Sequence, residues 1–255
     1  MALPRFYCPE KIAAGQTIEL PASVAHHALR ALRLEQGDEM ILFNGNGGEF
    51  KAVIARISKN CAAVVIEKYL NIERESPLVI TLAQAVCVSD KMDWIVQKGV
   101  EMGVSQIQPL ITKLSMVRLS GERAERRMKH WQQVVISACE QCGRNHIPKV
   151  LPLIPLPGWL GAQISEGENL NNGVPPNSRF MLSPTAKKNL RDFSGYSTVT
   201  AITLLVGPEG GFTLEEEAAA LVAGFIPLRL GERILRTESA ALAAVAAMQT
   251  LWGDY

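Results

Sequence analysis

Twice near the C-terminal end of this chain an apolar run stops on a glycine turn. The first reads Leu204-Leu205-Val206-Gly207-Pro208-Glu209-Gly210-Gly211-Phe212; the second reads Leu228-Arg229-Leu230-Gly231-Glu232-Arg233-Ile234-Leu235-Arg236-Thr237. Glycine has no Cβ, so it lets the backbone bend sharply or approach another group closely. Two such turns at neighbouring strand ends would wall a pocket with main chain. In open α/β sheets ligands sit at the carboxyl ends of strands, which makes the pair a candidate binding site.

The chemistry of the turns narrows the ligand. A dinucleotide site needs Gly-x-Gly-x-x-Gly between strand and helix, and a P-loop needs a Gly-Lys-Ser or Gly-Lys-Thr ending. Neither is present. The first turn instead carries Pro208 and the carboxylate Glu209, which argues against a triphosphate. Backbone amides and carbonyls, with apolar side chains such as Leu230, Ile234 and Leu235, suit a ligand without phosphates. An adenosyl group with an amino-acid tail has that description. The run from 240 to 247 is almost entirely alanine. That favours helix, and its small side chains let the helix pass close to other backbone.

Residues 1–72 read as short strands separated by Gly turns, with a short helix over 26–34, and predict a small β-barrel. Residues 71–77 read as a linker, ending in a pair that disfavours helix. From 78 to 255 strands and helices alternate, which implies a mostly parallel sheet covered on both faces. Strands are expected at 79–86, 107–111, 179–182, 200–206 and 225–230. Helices are expected at 90–102, capped by Asp90 and ended by Gly103, at 121–143, and at 239–251. Thr213 and Glu216 match a capping box, so another helix runs from there to Gly224. Residues 152–177 read as surface loop with one helical turn near Trp159.

The net charge of +1 gives no global case for a nucleic-acid partner, so one must be argued locally. Residues 113–129 carry Lys113, Arg118, Arg123, Arg126, Arg127 and Lys129 against Glu122 and Glu125, followed by His130 and Trp131. A solvated helix face is the plain reading of that pattern. No secretory leader is read at the start, and the longest apolar run is far short of the ~20 residues that span a bilayer. With five cysteines, a cytoplasmic protein without disulfides is expected. Cys139 and Cys142, with His146 nearby, lack a second cysteine pair, so a helix containing two small residues is expected rather than a metal or redox centre.

At this point the chain resembles the ribosomal RNA small-subunit methyltransferase E family, enzymes of the trefoil-knotted SPOUT class that methylate N3 of a uridine in 16S ribosomal RNA. The resemblance rests on residues 207–211, 230–240, Gln97-Lys98-Gly99-Val100-Glu101-Met102-Gly103 and Glu140-Gln141-Cys142-Gly143-Arg144. Residues 26–38 are similar to the family's PUA-like RNA-binding barrel. What the resemblance implies is a PUA-like domain over 1–72, a knotted SPOUT domain over 78–255, and a homodimer. It also implies S-adenosylmethionine held by Leu182, Gly207, Gly210, Leu230, Gly231, Ile234, Leu235 and Thr237. The chain departs from the family at Leu114, where an arginine is usual, and at Ser239, which replaces a threonine.

If uracil N3 is the target, its proton must leave. Glu209 is then the candidate acceptor and Arg236 the candidate stabiliser of charge on the uracil oxygens. The alternatives are that Glu209 ties down its own loop and that Arg236 pairs with Glu238. RNA contacts are expected from Arg5, His26, Arg30 and Arg33 of the barrel, and from the basic stretch over 113–129, Lys113 included, together with Arg144. Two other readings stand beside this one: a non-catalytic ribosome-assembly factor, and a SPOUT enzyme acting on another RNA atom.

Overall fold

The computed structural model describes residues 3–59, 61–164, 177–195 and 199–255. The chain divides into two compact units, 1–75 with 139–147, and 76–138 with 148–255.

The first unit is a five-stranded sheet in the order β1 (Arg5–Tyr7), β3 (Glu39–Phe43), β4 (Glu49–Ser58), β5 (Cys61–Leu70), β2 (Thr17–Glu19). All its pairings are antiparallel except that of β1 with β3. Alternation drives it, because β4 buries Phe50, Ala52 and Ile54 and turns Lys51, Val53 and Ala55 outward. Those buried residues join Phe6, Met40, Leu42, Val64 and Ile66 in one core. The expected helix over 26–34 begins earlier, as α1 (Ala22–His26), and continues as a π-helical turn over His27–Ala31.

The second unit is a wholly parallel sheet in the order β12 (Ile226–Leu228), β10 (Asn177–Leu182), β11 (Ala201–Val206), β6 (Val79–Ala85), β7 (Val104–Ile111). The short strands β8 (Lys149–Val150) and β9 (Ile154–Pro155) both pair with β7. A strand buried on both faces should be almost continuously apolar. In β6, Ile80, Leu82, Ala83 and Ala85 are fully buried. The helices are α2 (Ser89–Glu101), α3 (Gly121–Cys142), α4 (Leu156–Ile164), α5 (Leu214–Val222) and α6 (Thr237–Trp252).

Three local expectations need correction. Asp90 does not cap α2: the cap position is Val88, and Asp90 lies in the first turn, where a carboxylate still favours the helix dipole. The loop expected over 152–177 contains β9 and the nine-residue helix α4, while residues 165–176 lie outside those described. Proline is tolerated in a first turn, and Trp159 and Leu160 bury themselves in the core beside Leu156 and Phe225, which outweighs Gly158 and Gly161. Cys139–Ile147, within the stretch expected to be one continuous second domain, belongs to the first unit.

Two expected helix signals are present as the spacing implies. Thr213 accepts a hydrogen bond from the Glu216 N–H while the Glu216 carboxylate accepts one from the Thr213 N–H. Such a cap contributes about 1 kcal/mol. Gly103, with φ of 88°, ends α2.

Candidate functional site

The two glycine turns do lie together. Thr237, at the head of α6, donates its hydroxyl to the Gly207 carbonyl at 2.6 Å, which ties the end of the second turn to the start of the first. Beneath them Gln84, fully buried near the end of β6, donates its amide to Thr237 Oγ1 at 3.1 Å. Glycine is favoured at two points. A Cβ on Gly207 would meet Gly211 Cα at 3.2 Å and the Phe212 ring at 3.3 Å, and Gly231 has φ of 116°.

The turns enclose a cavity of about 520 Å³ at the carboxyl ends of β10, β11 and β12. That is within the ~300–1,000 Å³ usual for small-molecule sites. All eight residues expected around a cofactor line it: Leu182, Gly207, Gly210, Leu230, Gly231, Ile234, Leu235 and Thr237. Glu209 and Arg236 line it as well.

Sequence reasoning missed the charges that organise the rim. Lys91, on the first turn of α2, stands 3.3 Å from Glu209 and 3.6 Å from Glu238. Glu209 also accepts the Val88 N–H at 3.2 Å. Burial alone would raise the Glu209 carboxyl, but backbone N–H groups and the Lys91 ammonium outweigh it and hold it below its usual value. Glu238 is therefore engaged with Lys91 rather than with Arg236. Among the described residues the Arg236 guanidinium has no hydrogen bond or ion pair, and the residue is exposed on the cavity wall. Nearby Cys87 is buried, and burial first, then the Glu209 charge, pushes its thiol up to about 12. It remains protonated and is no nucleophile at neutral pH. Gln84 was the available signal, since an amide inside a buried apolar strand must have something to bond.

The expected RNA contacts divide. His26, Arg30 and Arg33 are exposed on the first unit. Lys113 is exposed and 3.6 Å from Glu215. Arg5 and Arg144 are corrected. Arg144 is 4% exposed and grips Glu75 through Nε and Nη2. Arg5 bonds Glu49, the Gly143 carbonyl at 3.2 Å and Asn145 Oδ1 at 2.7 Å, and lies over the Phe43 ring. Both guanidinium groups are used within the first unit, where buried charge needs a partner. Cys139 is buried, its thiol is pushed up to about 12 by burial, and it donates to the His146 carbonyl.

Comparisons with known proteins agree with this geometry. The RNA methyltransferase domain family matches residues 74–249, and the RNA methyltransferase PUA domain family matches residues 20–67. The chain is 34% identical to the ribosomal RNA small subunit methyltransferase E of Buchnera aphidicola subsp. Schizaphis graminum, over 99% of this chain and 98% of that protein. Its fold is similar to the crystal structure of a ribosomal RNA small subunit methyltransferase E from Neisseria gonorrhoeae bound to S-adenosyl methionine, with a TM-score of 0.87 and 42% identity over the whole of both chains. A Legionella pneumophila protein described as a methyltransferase, in complex with SAM, gives a TM-score of 0.90 at 37% identity, again over all of both chains. With both domain families matched in order and relatives aligned end to end, the chain belongs to the ribosomal RNA small subunit methyltransferase E family.

Proposed function

We propose that this chain uses S-adenosylmethionine to methylate N3 of a uridine in 16S ribosomal RNA, acting in the cytoplasm as a homodimer with a trefoil-knotted second unit. The observation that carries the reading is the cavity walled by two glycine turns and closed by the Thr237–Gly207 hydrogen bond. Its walls fit the donor. Main-chain groups at Gly207, Leu230 and Gly231 suit an adenosyl group, and Ile234 and Leu235 offer apolar surface. When bound, the donor supplies a methyl carbon activated by a sulfonium.

The protein's own part is positioning and charge. Placing a nucleophile in line can supply much of a rate enhancement. A base hidden in the stack must first be turned out, and the N3 proton must leave it. Arg236, with no internal partner among the described residues, is placed to stabilise negative charge on the uracil oxygens. Glu209 is the acceptor of the N3 proton, directly or through a water, and passes it on to solvent.

The test is to incubate the protein and donor with small subunits from a strain lacking the activity and to map the product by reverse transcription. Methyl on N3 blocks pairing and stops the polymerase at one uridine. Methylation of a ribose hydroxyl or a guanine instead would overturn the target assignment.

A further inference from the structure

A second cavity, of about 600 Å³, lies in the same unit and is lined by Val86, Cys87 and Val88 after β6, Val117 and Leu119 before α3, and a face of α3 itself. Arg123, Arg126, Arg127 and His130 fall at i, i+3, i+4 and i+7, which places them along one stripe of the helix. Such a stripe is ordinarily compensated by carboxylates. Here it is not: among the described residues none of the three guanidinium groups has a hydrogen bond or an ion pair. The nearby acid Asp93 is already occupied, accepting from Trp131 Nε1 at 3.0 Å and lying 2.9 Å from His130 Nε2. The floor is apolar, formed by Val86, Val117, Leu119 and the buried Trp131.

One chain segment connects this cavity to the donor cavity. The segment 86–91 serves both: Val88 lines the basic one and gives its N–H to Glu209, while Lys91 lines the other.

From uncompensated arginines, an apolar floor and the segment 86–91 that runs from one cavity to the other, we infer that this groove holds the phosphodiester backbone of the RNA strand flanking the target nucleotide. Arginine is the side chain suited to it, since its planar fork matches phosphate oxygens and its charge persists at any physiological pH. The three arginines take phosphates, and the apolar floor takes a ribose or base edge. The inference rests on the reading of the chain as an RNA methyltransferase.

The experiment compares the intact protein with the triple variant Arg123→Gln, Arg126→Gln and Arg127→Gln, with Lys149→Gln as a charge control outside both cavities. Each is titrated against a short single-stranded RNA with a central uridine and against small ribosomal subunits, over a range of salt. Thermal unfolding and S-adenosylmethionine binding serve as controls. Each lost phosphate contact on a single strand lowers the slope of log K against log salt by about 0.7, so the triple variant should lose about 2. Between about 50 and 200 mM salt the unmodified protein should then lose roughly twentyfold more affinity than the variant. Donor binding should be unchanged and Lys149→Gln should keep the full slope. An unchanged slope in a folded, donor-binding triple variant overturns the groove assignment but leaves the methyltransferase reading standing. Weakening toward subunits with none toward RNA also overturns it, since the partner would then be a ribosomal protein. Failure of the unmodified protein to bind either probe overturns both.

Discussion

Two sets of arginines, one in each unit, are put to opposite uses. In the first, Arg144 is buried and Arg5 partly buried; they are matched to Glu75 and Glu49, and Arg5 also donates to the Gly143 carbonyl and to Asn145 Oδ1. In the second, Arg123, Arg126, Arg127 and Arg236 line cavities with no acid paired to them among the described residues. The same side chain is a rivet in one place and an open hand in the other. What separates the cases is whether a carboxylate distant in sequence folds up beside it. A charged group that the fold leaves unmatched is better placed to recognise an external anion than one already desolvated and paired.

The contrast can be broken by experiment, beginning with its structural half. Glu49→Ala strands Arg5 and leaves Arg74 without its acid, so urea unfolding should show a loss of about 3–5 kcal/mol. Arg236→Ala should do the reverse, lowering single-turnover methylation by about 10²–10³ while the unfolding midpoint stays put. If Arg236→Ala also destabilises the fold as strongly as Glu49→Ala, the division into rivets and open hands fails. Thr237→Val sharpens the cavity itself. Losing the hydrogen bond to Gly207 should weaken donor binding by about tenfold, equivalent to about 1–1.5 kcal/mol, measured by calorimetry. The smallest effect is on pH dependence. Burial would raise the Glu49 carboxyl, but Arg5 and Arg74 hold it below its ordinary value of 4.5. Its contribution is therefore fully present above pH 4.5 and is lost as pH falls through the lower folded value. Acid titration of stability should show that loss in the unmodified protein and not in Glu49→Ala.

Much of the second unit was legible because its signals are local. Thr213 and Glu216 announce α5 within one turn, and Gly207 and Gly231 announce turns that favour glycine. The alternation of strand and helix implies a parallel sheet without any long-range information. The failures came from pairings across long sequence distance. Lys91 joins Glu209 and Glu238 over more than a hundred residues, and nothing near any of them in the chain advertises it. Arg144 reads as a free cation until Glu75 is seen beside it. Helix α4 was hidden for another reason: Pro157, Gly158 and Gly161 spell loop, and only the burial of Trp159 and Leu160 overrides them.

Gln249 is wholly buried in α6; it accepts the Ser76 hydroxyl at 2.7 Å and donates to the Met102 carbonyl at 2.9 Å. It therefore clips the entry to β6 and the end of α2 with a residue synthesised long after both. A nascent chain emerges N-terminus first, so a central strand of the second unit is made early, but the clip at its entry closes only once α6 has been made. Completion of the second unit must wait for that helix, and a message cut short within it should yield a protein whose sheet lacks the Gln249 clip.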